Sequence, residues 1–370
     1  MGWRKWLTGA AMSASLAVLA TGCGASGGSG GGGASGGGGS AGNANGNTAA
    51  APASGSTSTP IQVKIMVGGM SKIIYLPAEL TEKLGYFKEQ GLDVQLLDEN
   101  AGQSAEEALL AGQVQGAVGF YDHTIDLQSK GKYLESVVQF GATPGEYLMV
   151  SDKEKDQIKS LADLKGKKIG ITGLGSSTNF LASYLVVKGG HQTSEYTPVP
   201  VGAGQTLVAA MQQGKIDAAV TTEPTVTMLK QKHLASVMVD MATTDGVTQS
   251  LGGTYPAACL YMQADYVQQH PDVVQKLVNA FVKTMQYIHT HSAAEIADQV
   301  PTSYYAGDKQ AYIDALQKSL PMFTPDGKMP ENGPPTVLNV LTTFNPKLKD
   351  AHIDLSKTYT TQFVDQALKG

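Results

Sequence analysis

The sequence predicts a two-lobed α/β protein with a helical C-terminal tail. The chain has 370 residues, which corresponds to two domains at about 150 residues each. Strand-like and helix-like segments alternate through residues 61–141, and the alternation starts again after residue 161. Such alternation is typical of a mostly parallel sheet covered by helices. After residue 262 the pattern is almost wholly helical, which predicts the tail.

The first unit begins with a strand over residues 61–67, because its apolar residues alternate with other residues. A helix follows from Pro77, with Leu80 and Leu84 on one face, and ends at Gly85. The remaining predicted elements of this unit are strands at 92–97, 115–120 and 134–141 and helices at 105–111 and 123–130.

The second unit begins with a short helix and turn over residues 161–166. Strands are predicted at 168–172, 197–201, 218–221 and 236–240, and helices at 178–188, 205–213 and 225–230. An apolar strand at 257–262 leads into the tail. The longest tail helix begins at Pro271 and carries Val274, Leu277 and Phe281 at helical spacing. We expect the tail to return to the first lobe.

Composition and motifs exclude several classes of function. A formal net charge of -5 argues against a nucleic-acid partner. Two cysteines are too few for a disulfide framework, and Cys259 lies in an apolar run typical of an inert buried thiol. No ligand-spaced His or Cys set occurs, so neither a metal nor another cofactor is predicted. No Gly-x4-Gly-Lys-Ser/Thr loop occurs, so the chain is not an ATPase of that type.

Residues 1–22 are typical of an export signal. Arg4 and Lys5 form a basic start, and a short apolar run ends at Leu19. The run is too short to span a bilayer. Small residues then precede Cys23, which resembles a bacterial lipobox, although Ala20 stands where lipoboxes prefer leucine. The resemblance implies a lipidated Cys23 as the mature N-terminus; the alternative is a plain signal peptide.

We expect a Cys23→Ala protein to lose its membrane association, because the lipid would be attached to this thiol. Fractionation of cells that produce the native protein and the variant provides the measurement. A variant that stays in the membrane fraction would contradict the lipobox interpretation.

Residues 23–60 are predicted to form a flexible tether. Between Gly24 and Pro60 there is no charged, aromatic or large aliphatic residue, and Gly, Ser, Ala, Asn and Thr dominate. Such a segment has too little apolar area to offset its ordering entropy. With a lipid at its N-terminal end and the globular part at its other end, the tether would let the globular part move freely near the membrane.

Several segments in the globular part carry a family resemblance. The most specific is residues 84–94, Leu-Gly-Tyr-Phe-Lys-Glu-Gln-Gly-Leu-Asp-Val; the others, in order, are residues 110–114, 163–170, 213–220, 223–224 and 357–360. Together they resemble the periplasmic-type solute-binding proteins of ABC importers in the nitrate, sulfonate, taurine and thiamine-precursor group. The matches extend over nearly all of residues 61–370.

The resemblance implies a type II periplasmic-binding-protein fold, in which two α/β lobes are joined by two crossing strands and close on a ligand. Lobe I would comprise residues 61–148 plus 258–370, and lobe II residues 149–257. The crossings are expected at Glu146 to Ser151 and at Ala257 to Met262.

Four loops that follow predicted strands supply candidate ligand contacts, because ligands of open α/β sheets bind outside the carboxyl ends of strands. The candidates in lobe I are Ser71, Lys72, Tyr121, Asp122, His123 and Thr124. The candidates in lobe II are Gly175, Ser176, Ser177, Thr178, Thr222 and Glu223. The loop at 173–178 resembles an oxyanion site, since a glycine turn and a helix N-terminus present N–H groups. It is not a dinucleotide fingerprint, because Thr178 stands where the third glycine would be.

Each candidate also has a structural interpretation. Ser176, Ser177 or Thr178 could cap its helix, and Asp122 could do the same. Glu223 could form an ion pair, Tyr121 and His123 could pack in the core, and Lys72 could be solvated. A Ser176 and His191 catalytic pair has no orienting carboxylate in the sequence.

The sequence is therefore interpreted as the extracytoplasmic solute-binding component of an ABC importer and not as an enzyme. It would be a lipid-anchored monomer at the cell surface or in the periplasm. Its partners would be a small anionic, aromatic or heterocyclic solute, the permease with its ATPase subunit, and the membrane through the lipid. The alternatives are a sensory lipoprotein or a pyrimidine-synthase-like enzyme of the same fold, although the Cys-rich iron motif of those synthases is absent.

Overall fold

The computed structural model describes residues 59–369. The signal peptide, Cys23 and nearly all of the tether lie outside the described residues, so those interpretations stay predictions. Within the described residues, no helix is both long and apolar enough to cross a membrane.

Residues 59–369 form ten strands and fifteen helices, which confirms the α/β prediction. The strands are β1 (Ile61–Val67), β2 (Leu92–Asp98), β3 (Gly116–Phe120), β4 (Leu134–Gln139), β5 (Glu146–Ser151), β6 (Lys168–Ile171), β7 (Thr197–Pro200), β8 (Ala218–Thr222), β9 (Ala235–Met241) and β10 (Ala258–Gln263). The helices are α1 (Leu76–Lys83), α2 (Tyr86–Glu89), α3 (Gly102–Leu110), α4 (Asp122–Gln128), α5 (Ser177–Lys188), α6 (Gln205–Gln212), α7 (Thr225–Gln231), α8 (Thr244–Leu251), α9 (Ala264–Gln269), α10 (Pro271–Thr290), α11 (Ala293–Ala297), α12 (Lys309–Ser319), α13 (Gly333–Phe344), α14 (Pro346–Asp350) and α15 (Gln362–Ala367).

The strands form two sheets of five, with the orders β2-β1-β3-β10-β4 and β7-β6-β8-β5-β9. In the first sheet β1 is parallel to β2 and β3, whereas β10 is antiparallel to β3 and β4. In the second sheet β6 is parallel to β7 and β8, whereas β5 is antiparallel to β8 and β9. The two sheets have the same arrangement. Three parallel strands are followed by one antiparallel strand, β10 or β5, which comes directly after the chain has passed over from the other sheet, and a fifth strand lies antiparallel to it at the edge.

The chain passes between the sheets at residues 140–145 and 252–257. This corrects the expected crossings, because β5 lies wholly in the second sheet and β10 in the first. The two passages run side by side: Ala257 N–H donates to the Gly141 carbonyl at 3.0 Å, and Gly141 N–H donates to the Ala258 carbonyl at 2.9 Å. The residue boundaries of lobes I and II remain a proposal.

The helical tail packs against helices of both sheets. Helix α10 contacts α1, α2 and β4 of the first sheet, as expected for a returning tail. Helix α13, however, contacts both α4 of the first sheet and α5 of the second, and α12 contacts α7 of the second. The ring centroids of Phe344 and Phe180 lie 5.8 Å apart at the α13–α5 contact. The tail therefore spans the two sheets.

Candidate functional site

A small buried cavity lies between the two sheets, at the ends of their parallel strands. From the first sheet's side it is lined by Lys72, Ile74, Tyr75 and Gly102, and from the second sheet's side by Glu146, Thr172, Ser176, Ser177, Thr178 and Thr222. Its volume is about 10 Å³, which is about the room that one water molecule needs. A solute of several heavy atoms therefore requires the two walls to move apart.

Lys72 supplies the ammonium group of the cavity and is only 7% exposed. It follows β1, and its Nζ donates to the carbonyls of Gly68 at 2.5 Å and Asn100 at 3.2 Å. Burial lowers the pKa of Lys72 to about 8, against the opposite effect of Glu146 and Asp98. An ammonium group has three N–H donors, so one remains for a further acceptor.

Glu146 supplies a carboxyl group from the opposite wall and is 2% exposed. It is the first residue of β5 and lies opposite Thr222 of β8. Its Oε2 has no hydrogen-bond partner among the described residues. Burial, reinforced by Asp122, raises the pKa of Glu146 to about 8, although Lys72 acts in the opposite direction. A buried polar atom without a partner is costly, which makes Glu146 a strong candidate contact.

A direct hydrogen bond joins the two lobes beside the cavity. Ser177 Oγ, at the start of α5, donates to Asp122 Oδ1 of α4 at 2.7 Å. The Tyr255 hydroxyl, in the second passage between the sheets, donates to Asp122 Oδ2 at 3.0 Å. Burial raises the pKa of Asp122 to about 7, although both hydroxyl donors act to lower it. Asp122 thus connects three separate segments of the chain.

His123 is fully buried next to this hydrogen bond. Its Nε2 lies 3.4 Å from Ser177 Oγ, and its Nδ1 lies 3.2 Å from the Tyr261 hydroxyl and 3.4 Å from Glu106 Oε2. Burial, and then the positive charge of Lys130, lowers the pKa of His123 to about 3. The imidazole is therefore neutral at physiological pH and belongs to a buried polar network behind the cavity wall.

The loop before α5 is held mainly by its own hydrogen bonds. Ser176 Oγ donates to the Gly173 carbonyl at 2.6 Å, and Thr178 Oγ1 accepts from Thr172 N–H at 3.0 Å. Gly175 N–H donates to Asn179 Oδ1 at 3.0 Å, so it is not directed at the cavity. The expected ligand contact at Gly175 stays a prediction. Ser176 also forms no side-chain cap on α5, so the capping alternative does not account for it.

Four other candidates lie outside the cavity wall. Ser71 is exposed. The Tyr121 hydroxyl bonds with Thr358 of the tail, and Thr124 Oγ1 donates to the Tyr121 carbonyl, so both have packing roles. Glu223 Oε2 accepts from Thr227 N–H at 2.9 Å at the start of α7. Ligand contacts at these four positions stay predictions.

The structure thus places five predicted residues on the cavity wall: Lys72, Ser176, Ser177, Thr178 and Thr222. Asp122 and His123 lie directly behind Ser177. For all seven of these residues, contact with a ligand stays a prediction. Sequence reasoning missed Glu146 as a site residue, although a carboxyl that opens the apolar run Tyr-Leu-Met-Val after a glycine was an available signal.

The geometry does not resemble a nucleophilic active site. Ser177 directs its hydroxyl hydrogen to Asp122 and not to His123, whereas an activated serine donates to the imidazole that serves as its base. The pair considered from the sequence is not formed either, since Ser176 bonds to Gly173 and His191 Nε2 lies 2.7 Å from the Ala162 carbonyl. Within residues 59–369, no group of three or more His, Cys, Asp or Glu side chains is arranged to hold a metal ion.

We expect Glu106→Gln to make the protein progressively more stable than the native form as the pH rises. Burial, then Asp126, raises the pKa of Glu106 from 4.5 to about 8. Folding therefore takes up a proton, and this group's stabilising contribution is present below about pH 4.5 and lost as the pH rises to about 8. The glutamine does not titrate.

Denaturant unfolding from pH 5 to 8.5 measures this effect. The difference in unfolding free energy between variant and native protein should grow by on the order of 2 kcal/mol. Glu107→Gln is the matched control, because Glu107 is an exposed neighbour on the same helix. Parallel pH curves for Glu106→Gln and the native protein would contradict the prediction.

Comparison with known proteins places the chain among proteins of this architecture. A family profile described as NMT1/THI5 like matches residues 76–294. A solved protein of Bordetella bronchiseptica is 37% identical, with a TM-score of 0.81 over 84% of this chain and 98% of that one. The periplasmic nitrate-binding protein NrtA from Synechocystis has a TM-score of 0.67 over 84% of this chain and 89% of its own, at 14% identity, which shows the fold alone.

A curated relative has an enzyme's name. The 4-amino-5-hydroxymethyl-2-methylpyrimidine phosphate synthase THI13 of Saccharomyces cerevisiae is 27% identical over 223 residues. The match covers 58% of this chain and 63% of the relative. The chain thus spans less than two thirds of that relative's length.

Proposed function

The chain belongs to the NMT1/THI5-like family, and we propose that it is the solute-binding component of an ABC importer. In this proposal it captures a small solute between its two lobes and delivers the solute to a permease with an ATPase subunit. The observation that carries the proposal is the buried polar cavity between the sheets, whose walls present Lys72 from one side and Glu146 from the other.

The proposed mechanism is lobe closure. The cavity in this structure has room for about one water molecule. The solute must therefore enter an open form in which the two walls are further apart, and the walls of the closed form must leave more space when the solute is bound. A solute that contacts both walls favours the closed form by its differential affinity for that form. The adjacent passages at residues 140–145 and 252–257 are the natural hinge, since the chain crosses between the sheets there.

The proposed setting is outside the cytoplasmic membrane, with the protein held by a lipid on Cys23. Support comes from the signal-like residues 1–22 and from the Gly/Ser-rich segment that follows. A monomer suffices for this role, because both walls of the cavity come from one chain.

An enzyme of the pyrimidine-synthase type is the second candidate, and the relative THI13 favours it. In the described residues the one cysteine, Cys259, is fully buried, and burial raises the pKa of its thiol well above the usual range. Such a thiol is unsuited to nucleophilic or redox chemistry. We therefore favour binding over catalysis; a sensory lipoprotein remains a variant of the binding proposal.

One experiment separates these functions. The purified mature protein is incubated with a metabolite extract and examined by native mass spectrometry and small-angle X-ray scattering. Binding predicts a stoichiometric adduct whose small molecule is recovered unchanged, together with a smaller radius of gyration. Recovery of a chemically altered molecule would support the enzyme. The absence of any adduct, with an unchanged radius, would contradict the binding proposal.

A further inference from the structure

We propose that closure of the two lobes takes up protons, so that the protein holds its solute less tightly as the pH rises through neutrality. The protons are bound by the carboxyl groups of Asp122 and Glu146, which lie where the lobes meet. This inference rests on the lobe closure of the proposed function and adds a regulation to it. It depends on no particular solute, because the protein itself binds the protons.

Both carboxyl groups lie at the contact between the lobes. Asp122 is fully buried, and its Oδ1 accepts from Ser177 Oγ of the second lobe at 2.7 Å. Glu146 is 2% exposed and lines the cavity across from Lys72. When the walls move apart to admit a solute, water reaches both groups. Since an ionised carboxyl group loses its hydration on burial, closure favours the neutral, protonated form.

The surroundings offer too little positive charge for two buried carboxylates. In the described part of the chain, Lys72 is the one basic side chain on the cavity wall, and two of its donors already serve the carbonyls of Gly68 and Asn100. Glu146 Oε2 has no hydrogen-bond partner among these residues, so its ionised form would be poorly stabilised. Burial accordingly raises the pKa of Asp122 to about 7 and that of Glu146 to about 8.

The hydrogen bonds around Asp122 can accommodate the proton. A protonated carboxyl group has one O–H donor, and a hydroxyl group can accept as well as donate. Ser177 Oγ can therefore accept from Asp122 and direct its own hydrogen to His123 Nε2, which lies 3.4 Å away. The Tyr255 hydroxyl still donates to the other carboxyl oxygen. Protonation thus keeps the bond between the lobes and removes the buried charge.

Other titratable groups surround the two carboxyls and set the pH range in which closure responds. From the elements packed there, these are Lys72 and Tyr75 after β1, Asp98 of β2, Glu106 of α3, His123 and Asp126 of α4, Lys130 after α4, Tyr255 of the second passage, and Cys259 and Tyr261 of β10. Burial raises the pKa of the three tyrosines and of the thiol, so these four groups stay neutral. Asp126 is paired with Lys130 at 2.6 Å. Glu106 lies against His123 of the same lobe, at 3.4 Å, so its burial is common to the open and closed forms.

The remaining effects separate by pH. The raised pKa values of Asp122 and Glu146 make their contribution to closure fully present below about pH 4 and progressively lost as the pH rises through about 7 to 8. Burial lowers the pKa of His123 to about 3, so this group opposes closure only below about pH 6.5, the ordinary value for histidine. Burial lowers the pKa of Lys72 to about 8, so its deprotonation strengthens closure only above about pH 8. The range from about pH 6.5 to 8 therefore reports the two carboxyl groups.

Native-state hydrogen exchange, followed by NMR on the full mature protein without any solute, measures closure in this range. The Ile73 N–H donates to the Glu223 carbonyl across the lobe contact at 3.1 Å, so lobe opening exposes it to exchange. The Gly68 N–H donates to the Val118 carbonyl within the first sheet at 3.0 Å and serves as the control amide. Dividing the intrinsic exchange rate at each pH by the measured rate gives a protection factor.

We expect the protection factor of Ile73 to fall at least about tenfold from pH 6.5 to 8, because two groups lose their protons there. The protection factor of Gly68 should change by less than about twofold. A protection factor of Ile73 that stays constant, rises, or falls no more than that of Gly68 overturns the inference.

Variants show whether the two carboxyl groups carry the response. The double variant Asp122→Asn and Glu146→Gln has amides that do not titrate, so the protection of Ile73 should be nearly constant from pH 6.5 to 8. Glu331→Gln, an exposed change of the same charge, should keep the native response. The comparison uses the change with pH and not the level of protection, so a general loss of stability does not imitate it. A native response in the double variant overturns the assignment to these carboxyl groups.

The outcomes also separate this inference from the proposed function, because the exchange experiment contains no solute. A constant protection of Ile73, together with an adduct from the metabolite extract, would remove only the proton-linked closure. A fall in protection with pH, without any adduct, would support proton-linked closure and contradict solute binding.

Discussion

Gly68→Ala is expected to lower the free energy of unfolding by about 3 kcal/mol and to weaken solute binding severely. A Cβ atom at position 68 would lie 2.8 Å from Gly102 Cα and 3.1 Å from Gly102 N. These are backbone atoms at the start of α3, so neither can rotate away. The loop after β1 would have to move away from α3. The Gly68 carbonyl, which accepts from Lys72 Nζ, would move with that loop.

A second glycine supplies the matched control. A Cβ atom at position 85 would meet no heavy atom of the described residues within 4 Å, so Gly85→Ala carries only the cost of a φ of 76°. That cost is about 1 kcal/mol. Denaturant unfolding and a binding titration on both variants make the comparison. Equal losses of stability, or native affinity in Gly68→Ala, would show that the close approach to Gly102 does not shape the site.

Secondary structure was largely predictable because the buried face of a strand or helix requires apolar residues at regular intervals in the sequence. The alternation through Ile61, Val63 and Ile65 matches β1, and the leucines that follow Pro77 match α1. The strand β5 was misread as a crossing, because its residues are buried on both faces and show no alternation. The contacts of α13 with helices of both sheets depend on packing between distant segments, which no local pattern encodes.

Site residues were predictable where they follow the carboxyl end of a strand that points at the cavity. The rule that ligands lie beyond the carboxyl ends of parallel strands selects Lys72, Ser177 and Thr222. The same rule misses Glu146, because that residue begins an antiparallel strand and reaches the cavity by its amino end, opposite Thr222. The rule also selects Tyr121, whose hydroxyl bonds with Thr358, 237 positions away in the chain; its contact with a ligand stays a prediction.

Asp122→Ala is expected to have the largest effect on closure. The carboxyl group of Asp122 accepts from Ser177 Oγ of the second lobe and from the Tyr255 hydroxyl in the passage between the sheets. Removing it leaves two buried hydroxyl groups without their acceptor, at a cost of about 1–3 kcal/mol each. We expect the closed form to be destabilised by roughly 3 kcal/mol, which corresponds to an affinity about a hundredfold lower.

Asp122→Asn is the matched control, because the amide keeps one acceptor oxygen and nearly the same volume, and its loss should be clearly smaller. The affinity for the recovered solute and the radius of gyration in solution are measured for both variants. A double-mutant cycle with Ser177→Ala isolates the bond between the lobes, since coupled residues show non-additive losses. If Asp122→Ala binds as tightly as Asp122→Asn and keeps the native radius, the bond between Asp122 and Ser177 does not contribute to closure.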